Sequence, residues 1–334
     1  MARARALAGS ARYRSSPNPW VGCVLVGAGG EVVGEGATAP AGGPHAEAVA
    51  LARAGERARG ATAYVTLEPC AHHGRTPPCA DALVAAGVRR VVVAIEDPDP
   101  RVSGRGLARL RAAGVEVSLG TGAAAAEGQL EPYLHHRRTG RPYVVLKLAG
   151  TLDGRLAAPD GSSRWITGEA ARRDAHLLRA ASDAVLVGAG TVRADDPELT
   201  VRLGRRRPAG ARDPLRVVLG HVPPGARVRP ALEHHGPVEP LLDELGRRGV
   251  LQLLVEGGAR VAWELHAAAL VDRYVFYLAP VLLGGDDGVP FFSGPGAPSL
   301  ADAWRGRLLG ARRLGEDLRV DLGPALPGRD PAPR

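Results

Sequence analysis

The chain has 334 residues, 45% of them hydrophobic and 23% charged, enough apolar material for two cores and too much for a disordered polypeptide. Its net charge is +8, yet Lys147 is the only lysine and the arginines are scattered among Ala, Gly and Pro, with no dense basic run interleaved with aromatics. That distribution argues against a nucleic-acid surface, and Arg205, Arg206 and Arg207 read as solvated loop charge.

No stretch approaches the roughly 18 apolar residues that span a bilayer, and MARARALAGSARYRSS lacks the apolar core of a signal peptide. A soluble, cytoplasmic protein with no membrane partner is expected. Three cysteines do not suggest a disulfide framework. Cys23, inside VGCVLV, reads as buried packing.

In chain order, VGCVLV (21–26) and EVVGEG (31–36) read as strands joined by a Gly29-Gly30 hairpin turn. HAEAVALARAG (45–55) reads as a helix, ATAYVTLEPC (61–70) as a strand, CADALVAAGV (79–88) as a helix and RRVVVAIEDP (89–98) as a buried strand. A helix from Gly104 to Ala113, the strand VEVSL (115–119) and a helix from Ala123 to Arg138 follow. This alternation predicts an α/β sandwich with a mostly parallel sheet. TGRP (139–142) marks a boundary, giving domains 1–140 and 141–334.

In the second domain, strands are expected at 143–149, 183–190, 215–220, 250–258 and 273–284, with helices near 168–181, 239–249 and 259–270. The tail PALPGRDPAPR reads as a frayed end.

The densest chemical signal lies in the first domain. His45 opens a helix, Cys70 ends a strand and Cys79 opens the next helix, so one imidazole and two thiolates could hold zinc and leave a fourth position for water. Helix N-termini favour thiolates. Glu47, two residues from His45, can reach such a water without ligating the metal and move its proton to a leaving amine. H-x-E followed by P-C is the signature of zinc-dependent nucleobase deaminases. Here eight residues, AHHGRTPP, separate the cysteines where two are usual. A closed structural zinc site with His72 or His73 as fourth ligand also fits these residues, although it has no use for Glu47. Asn18, in SPNPWVG, fits either a turn or a pocket amide that reads a base edge.

SPNPWVGCVLV, AGGPHAEAVAL and TLEPCAHHGRTPPCADAL resemble the deaminase half of the bifunctional riboflavin-biosynthesis deaminase/reductases. RPYVVLKLAGTLDGRLA (141–157), SSRWITGEAARRDAHLLRA (162–180), DAVLVGAGTVRADDPELTVR (183–202), LLVEGG (253–258) and VDRYVFYLAPVLLGG (271–285) resemble the reductase half. The resemblance implies a cytidine-deaminase-like three-layer α/β/α sandwich followed by a dihydrofolate-reductase-like α/β domain, in a homo-oligomer. It implies zinc-dependent deamination of 2,5-diamino-6-ribosylamino-4(3H)-pyrimidinone 5′-phosphate, then NADPH-dependent reduction of the ribosyl group to ribityl. Asn18, His72 and Arg75 would contact the first substrate. Ala149, Trp165, Thr191, Asp195 and Gly258 would line the NADPH site. Ser163, Arg179, Leu199, Arg202 and Glu256 would hold the second substrate. Independently, a Gly-rich turn before a helix, as at Gly257-Gly258, lets backbone N–H groups approach phosphates.

The chain departs from the family in two places. Thr38 stands where the family usually has His. After the VVL strand it has Gly220-His221 where the family usually has Asp-Ser, and only about twenty residues precede the next helix. That shortening predicts the loss of one strand, and with it the serine that would contact NADPH. The competing readings are a deaminase with a degenerate reductase-like domain, a nucleic-acid-editing deaminase, and a non-catalytic zinc module.

Overall fold

A computed structural model describes residues 1–72 and 77–325. Its contacts divide the chain into two units: Met1–Arg141 with Pro208–Ala211, and Pro142–Arg207 with the chain from Arg212 onward.

The first unit opens with α1 (Ala2–Ala11) and the hairpin of β1 (Gly22–Val26) and β2 (Val32–Ala37). It continues through α2 (Ala46–Ala54), β3 (Thr62–Val65), α3 (Cys79–Ala85) and β4 (Arg90–Val93). It closes with α4 (Arg105–Ala112), β5 (Glu116–Leu119) and α5 (Ala123–Thr139). The sheet runs β2-β1-β3-β4-β5. β1 is antiparallel to both neighbours, while β3, β4 and β5 are parallel. The sheet is therefore mixed rather than mostly parallel, because a short hairpin can only join antiparallel strands.

Glycines set the three layers. A Cβ on Gly22 would lie 1.9 Å from the Ala4 carbonyl oxygen of α1, and one on Gly36 would lie 2.0 Å from that of Ala46 in α2. Gly36 is the register partner of Cys23, so it shares a face with Cys23 and not with Gly22. α1 and α2 thus cover opposite faces. α1 was not expected from the sequence: the residues it buries are Ala4, Ala8 and Ala11, a stripe that a search for large apolar residues passes over.

The second unit comprises β6 (Tyr143–Thr151), β7 (Arg155–Ala157), α6 (Glu169–Ala180), β8 (Ala184–Gly188) and α7 (Ala189–Asp195). β9 (Leu215–Leu219), β10 (Leu232–His234), α8 (Val238–Arg247), β11 (Gln252–Val255) and α9 (Ala259–Ala267) follow. β12 (Arg273–Ala279), β13 (Val289–Pro290), β14 (Gly306–Leu314) and β15 (Asp317–Pro324) complete it. The main sheet runs β10-β9-β8-β11-β6-β12-β15-β14, parallel as far as β12 and antiparallel beyond it. Leu146 and Leu148 pack with Leu241, Leu245 and Leu265 of α8 and α9, while Val145 packs with Ala171 of α6 on the other face. Alternation along β6 thus places helices on both faces.

The strand expected to be lost is present: β10 pairs in parallel with β9 as a three-residue edge strand. Its short connection is held by charge. Glu233 accepts from the Val222 N–H (3.0 Å) and pairs with Arg229 (2.9 Å), and Arg216 donates to the Arg229 carbonyl (3.1 Å). Among the described residues no helix is long and apolar enough to cross a membrane.

Candidate active sites

In the first unit, chain direction brings the metal-ligating atoms together. His45 is the N-cap of α2, Cys79 is the first residue of α3, and Cys70 follows β3. His45 Nδ1 lies 3.6 Å from Cys70 Sγ and 3.3 Å from Cys79 Sγ, and the three atoms are mutually within 4.8 Å. Zinc bonds of about 2.0 Å to nitrogen and 2.3 Å to sulfur at tetrahedral angles require an N···S separation of about 3.5 Å, so the donors fit zinc without rearrangement. The Cys79 N–H donates to Cys70 Sγ (3.4 Å), and the Ala80 N–H to the Cys70 carbonyl (3.1 Å), so the start of α3 holds the second ligand.

The two thiols are pushed in opposite directions. Cys70 is held down at about 4 by hydrogen bonding from Cys79 and His45, while Cys79 is driven far up by the Cys70 thiolate and by burial. Burial also pushes the Glu47 carboxyl up to about 7, against the lowering pull of His45.

His45, Glu47 and Cys70 line a cavity of about 130 Å³ together with Asn18, Thr38 and His72, and Cys79 joins them through its contact with His45. Arg75 and His73 lie outside the described residues. His72 Nδ1 is buried with no hydrogen-bond partner among the described residues. Thr38 is committed to the backbone, since its Oγ1 accepts from the Val21 N–H at 2.9 Å.

Sequence reasoning missed a second wall, formed by Asp97, Asp99, Arg101, Tyr133 and Arg137, and it missed Glu68, which also lines the cavity. Tyr133 donates to both Asp97 oxygens (3.0 and 3.2 Å), and Arg101 grips Asp99 through Nε (3.0 Å) and Nη2 (2.7 Å). Arg101 holds Asp99 down at about 2, whereas burial raises Asp97. The available signal was position: the Asp-Pro-Asp-Pro run leaves the end of β4, whose parallel neighbour β3 leads to Cys70.

In the second unit, a cleft of about 680 Å³ is lined by Lys147, Trp165, Arg172, Arg179, Arg202 and Glu256, among others. It unites four of the predicted residues: Trp165, Arg179, Arg202 and Glu256. Trp165 is 70% exposed with the Arg172 guanidinium 4.5 Å from its ring centre. Ala149, Ser163, Thr191, Asp195, Leu199 and Gly258 do not line this cleft. Thr191, in the first turn of α7 after β8, and Gly258, the N-cap of α9 after the adjacent parallel strand β11, sit together: a Cβ on Gly258 would be 3.5 Å from Thr191 Oγ1. The C-terminal ends of such strands are where open α/β sheets bind ligands. Asp195 pairs with Arg164 (3.3 Å). Leu199 packs its side chain against Val185 and Val187, which leaves only its backbone for a ligand.

Residues 1–95 match the cytidine and deoxycytidylate deaminase zinc-binding region, and residues 142–320 match the RibD C-terminal domain. The riboflavin biosynthesis protein RibD of Escherichia coli is 45% identical over 360 residues, covering 96% of this chain and 98% of that protein. Its namesake from Mycobacterium tuberculosis is 46% identical over 315 residues, covering 92% and 91%. The solved structure of Acinetobacter baumannii RibD superposes with a TM-score of 0.92 at 40% identity over 98% of each chain. A Thermotoga maritima deaminase/reductase superposes with a TM-score of 0.85 at 33% identity over 97% of each. The chain belongs to the RibD family, the bifunctional deaminase/reductases of riboflavin biosynthesis, and carries a zinc-binding deaminase domain followed by a reductase domain that uses NADPH.

Proposed function

We propose that residues 1–140 hydrolytically deaminate 2,5-diamino-6-ribosylamino-4(3H)-pyrimidinone 5′-phosphate at C2, and that residues 141–334 then reduce the ribosyl group of the product to ribityl. The observation that carries this reading is the cluster of His45, Cys70 and Cys79 beside a small cavity that His45, Cys70 and buried Glu47 line together with Asn18 and His72.

His45, Cys70 and Cys79 hold zinc, which when bound supplies the Lewis acidity that makes water nucleophilic near neutral pH. Glu47 takes a proton from the attacking water and delivers it to the departing amino nitrogen, so that ammonia leaves and a carbonyl forms at C2. Asn18 reads the pyrimidine edge, Nδ1 of His72, without a partner among the described residues, hydrogen-bonds the ring, and Arg75 meets its polar groups.

In the second unit, bound NADPH would supply the hydride needed at C1′ of the opened sugar. Ala149, Trp165, Thr191, Asp195 and Gly258 hold the cofactor. Gly257 and Gly258 keep the start of α9 free of side chains, so its N–H groups can reach phosphate oxygens. Ser163, Arg179, Leu199, Arg202 and Glu256 hold the substrate. The same reading makes the protein a cytoplasmic homo-oligomer without a nucleic-acid or membrane partner. Exposed Trp304 and Leu308, beside and within the edge strand β14, offer apolar surface to a second copy.

The test is to supply the zinc-loaded chain with the diaminopyrimidinone phosphate and NADPH, following ammonia and NADPH together. Ammonia release followed by equimolar NADPH oxidation and a ribityl product is expected. Ammonia without NADPH oxidation would leave a deaminase with a degenerate second domain.

A further inference from the structure

Arg205, Arg206 and Arg207 lie at a single 3-10 turn (Gly204–Arg206), and the fold assigns them different tasks. Arg207 turns inward. It donates to the Val201 carbonyl (3.1 Å) and lies 3.2 Å from Asp213, whose carboxylate also accepts from the Val201 N–H (2.9 Å). The Arg202 N–H donates to His176 Nδ1 on α6 (3.3 Å), which pins the start of the same loop. With its base fixed, the turn sets Arg205 and Arg206 into the wall of the second unit's cleft.

The other cations of that cleft are already engaged. Arg179 and Lys147 share Glu256, at 2.8 and 3.7 Å. Arg202 pairs with Glu198 (3.0 Å), Arg173 with Glu169 (3.5 Å), and Arg172 stacks on Trp165. Among the described residues, the guanidinium groups of Arg205 and Arg206 have no carboxylate or hydrogen-bond acceptor. Two adjacent unpaired guanidinium forks suit a phosphomonoester dianion, which accepts paired N–H bonds from each. Two such dianions belong to this reaction, the 5′-phosphate of the pyrimidine and the 2′-phosphate of NADPH. The lining favours the first: Arg179, Arg202 and Glu256 of the substrate set lie in this cleft, whereas of the cofactor set only Trp165 does.

We propose that Arg205 and Arg206 recognise the 5′-phosphate of the pyrimidine that the reductase takes, and make that half of the enzyme selective for phosphorylated substrate. This inference rests on the function proposed above. Both arginines are exposed, so they act at capture as well as in the complex, and capture weakens as salt screens them.

The test uses the full zinc-loaded chain, given the deaminated pyrimidine with or without its 5′-phosphate, and NADPH or NADH as reductant. In R205Q/R206Q, kcat/KM for the phosphorylated substrate is expected to fall about tenfold at low ionic strength, with a flatter salt dependence. Its preference over the dephosphorylated substrate falls by the same factor, while the preference for NADPH over NADH stays. R205K/R206K recovers most of the salt dependence. R111Q/R138Q, which removes two exposed charges from the other unit, keeps the wild-type preference. An unchanged phosphate preference in R205Q/R206Q overturns the proposal, and a loss confined to the NADPH preference overturns it in favour of the cofactor's phosphate. If the wild-type chain oxidises no NADPH with either pyrimidine, the function proposed above fails, and this inference with it.

Discussion

Arg179 of α6 and Glu256, the residue after β11, form a two-pronged ion pair, Nε to Oε1 at 2.8 Å and Nη2 to Oε2 at 3.0 Å. Arg179 Nη1 also donates to the Thr200 carbonyl at 2.6 Å. One guanidinium thus ties α6, the end of a central strand and the loop after α7 together beneath the cleft. Burial alone would raise the Glu256 carboxyl, but Arg179 and then Lys147 outweigh it and hold it at about 2.

The pair has a pH signature. The folded carboxyl lies below its ordinary value of 4.5, so its stabilisation is complete above that value and drains away as pH falls towards 2. E256Q is expected to cost about 3–5 kcal/mol near neutral pH, because it leaves Arg179 buried without its countercharge. It should also remove this carboxylate's share of the acid-induced loss. Urea unfolding of both proteins at pH values from neutral down to about 3 checks it. Parallel stability-versus-pH curves would show that the pair contributes nothing in that window.

In the deaminase unit, Glu47 and the metal ligands are expected to separate cleanly. Glu47→Ala should keep zinc and lose deamination by a factor of about 10² to 10⁴, since the ligand atoms are untouched while the proton carrier is gone. Cys70→Ser should lose zinc and destabilise the first unit. Metal analysis beside ammonia release distinguishes the two. One zinc per chain in the serine variant would overturn the ligand assignment, and normal turnover in the alanine variant would remove Glu47 from the mechanism.

Gly36 controls where that machinery sits. A side chain there would meet the Ala46 carbonyl oxygen at 2.0 Å, and the obstacle is backbone at the first turn of α2, between His45 and Glu47. Gly36→Ala should push α2 off the sheet at a cost of about 1–3 kcal/mol and weaken zinc binding with it. Faster zinc loss to a chelator, together with a lower Tm, is the expected result. A variant that melts lower yet holds zinc as tightly would mean that α2 tilts about its other end.

These relationships were unequally legible in the sequence. His45, Glu47, Cys70 and Cys79 could be read because each sits at the junction of a strand or helix marked by local pattern. Asp97, Asp99 and Tyr133 could not, because they reach the cavity through strand order and a distant helix. The hairpin of β14 and β15 was missed for a different reason. The buried positions of β15 include Asp317, Arg319 and Asp321, whose charges are met by one another and by Asp174, Arg273 and the Gly168 N–H. Its inside-outside pattern is therefore inverted, and hydrophobic periodicity has nothing to detect. Arg205 and Arg206 read as solvated charge because sequence gives no sign that Arg207 alone anchors the turn.

Glu68 is the buried link between the two walls of the deaminase cavity. Its Oε1 accepts from the N–H groups of Gly106 (2.8 Å) and Leu107 (3.2 Å), and its Oε2 from those of Gly104 (3.0 Å) and Asp97 (3.2 Å). It stands two residues before Cys70, while the loop it gathers carries Asp97, Asp99 and Arg101. The fit is tight, since a Cβ on Gly106 would lie 1.9 Å from the Pro69 carbonyl oxygen. Glu68→Gln keeps the shape but turns one acceptor oxygen into a donor nitrogen facing two N–H groups. The expected cost is about 2–4 kcal/mol for those unsatisfied donors. Because the zinc ligands keep their own supports, metal content should stay at one per chain while the loop loosens. The substrate KM for deamination should then rise more than kcat falls, and Glu68→Ala, which removes every acceptor, should do worse on both counts. A Tm drop with unchanged KM would reduce Glu68 to a structural brace; loss of zinc in the glutamine variant would show that it supports Cys70 rather than the second wall.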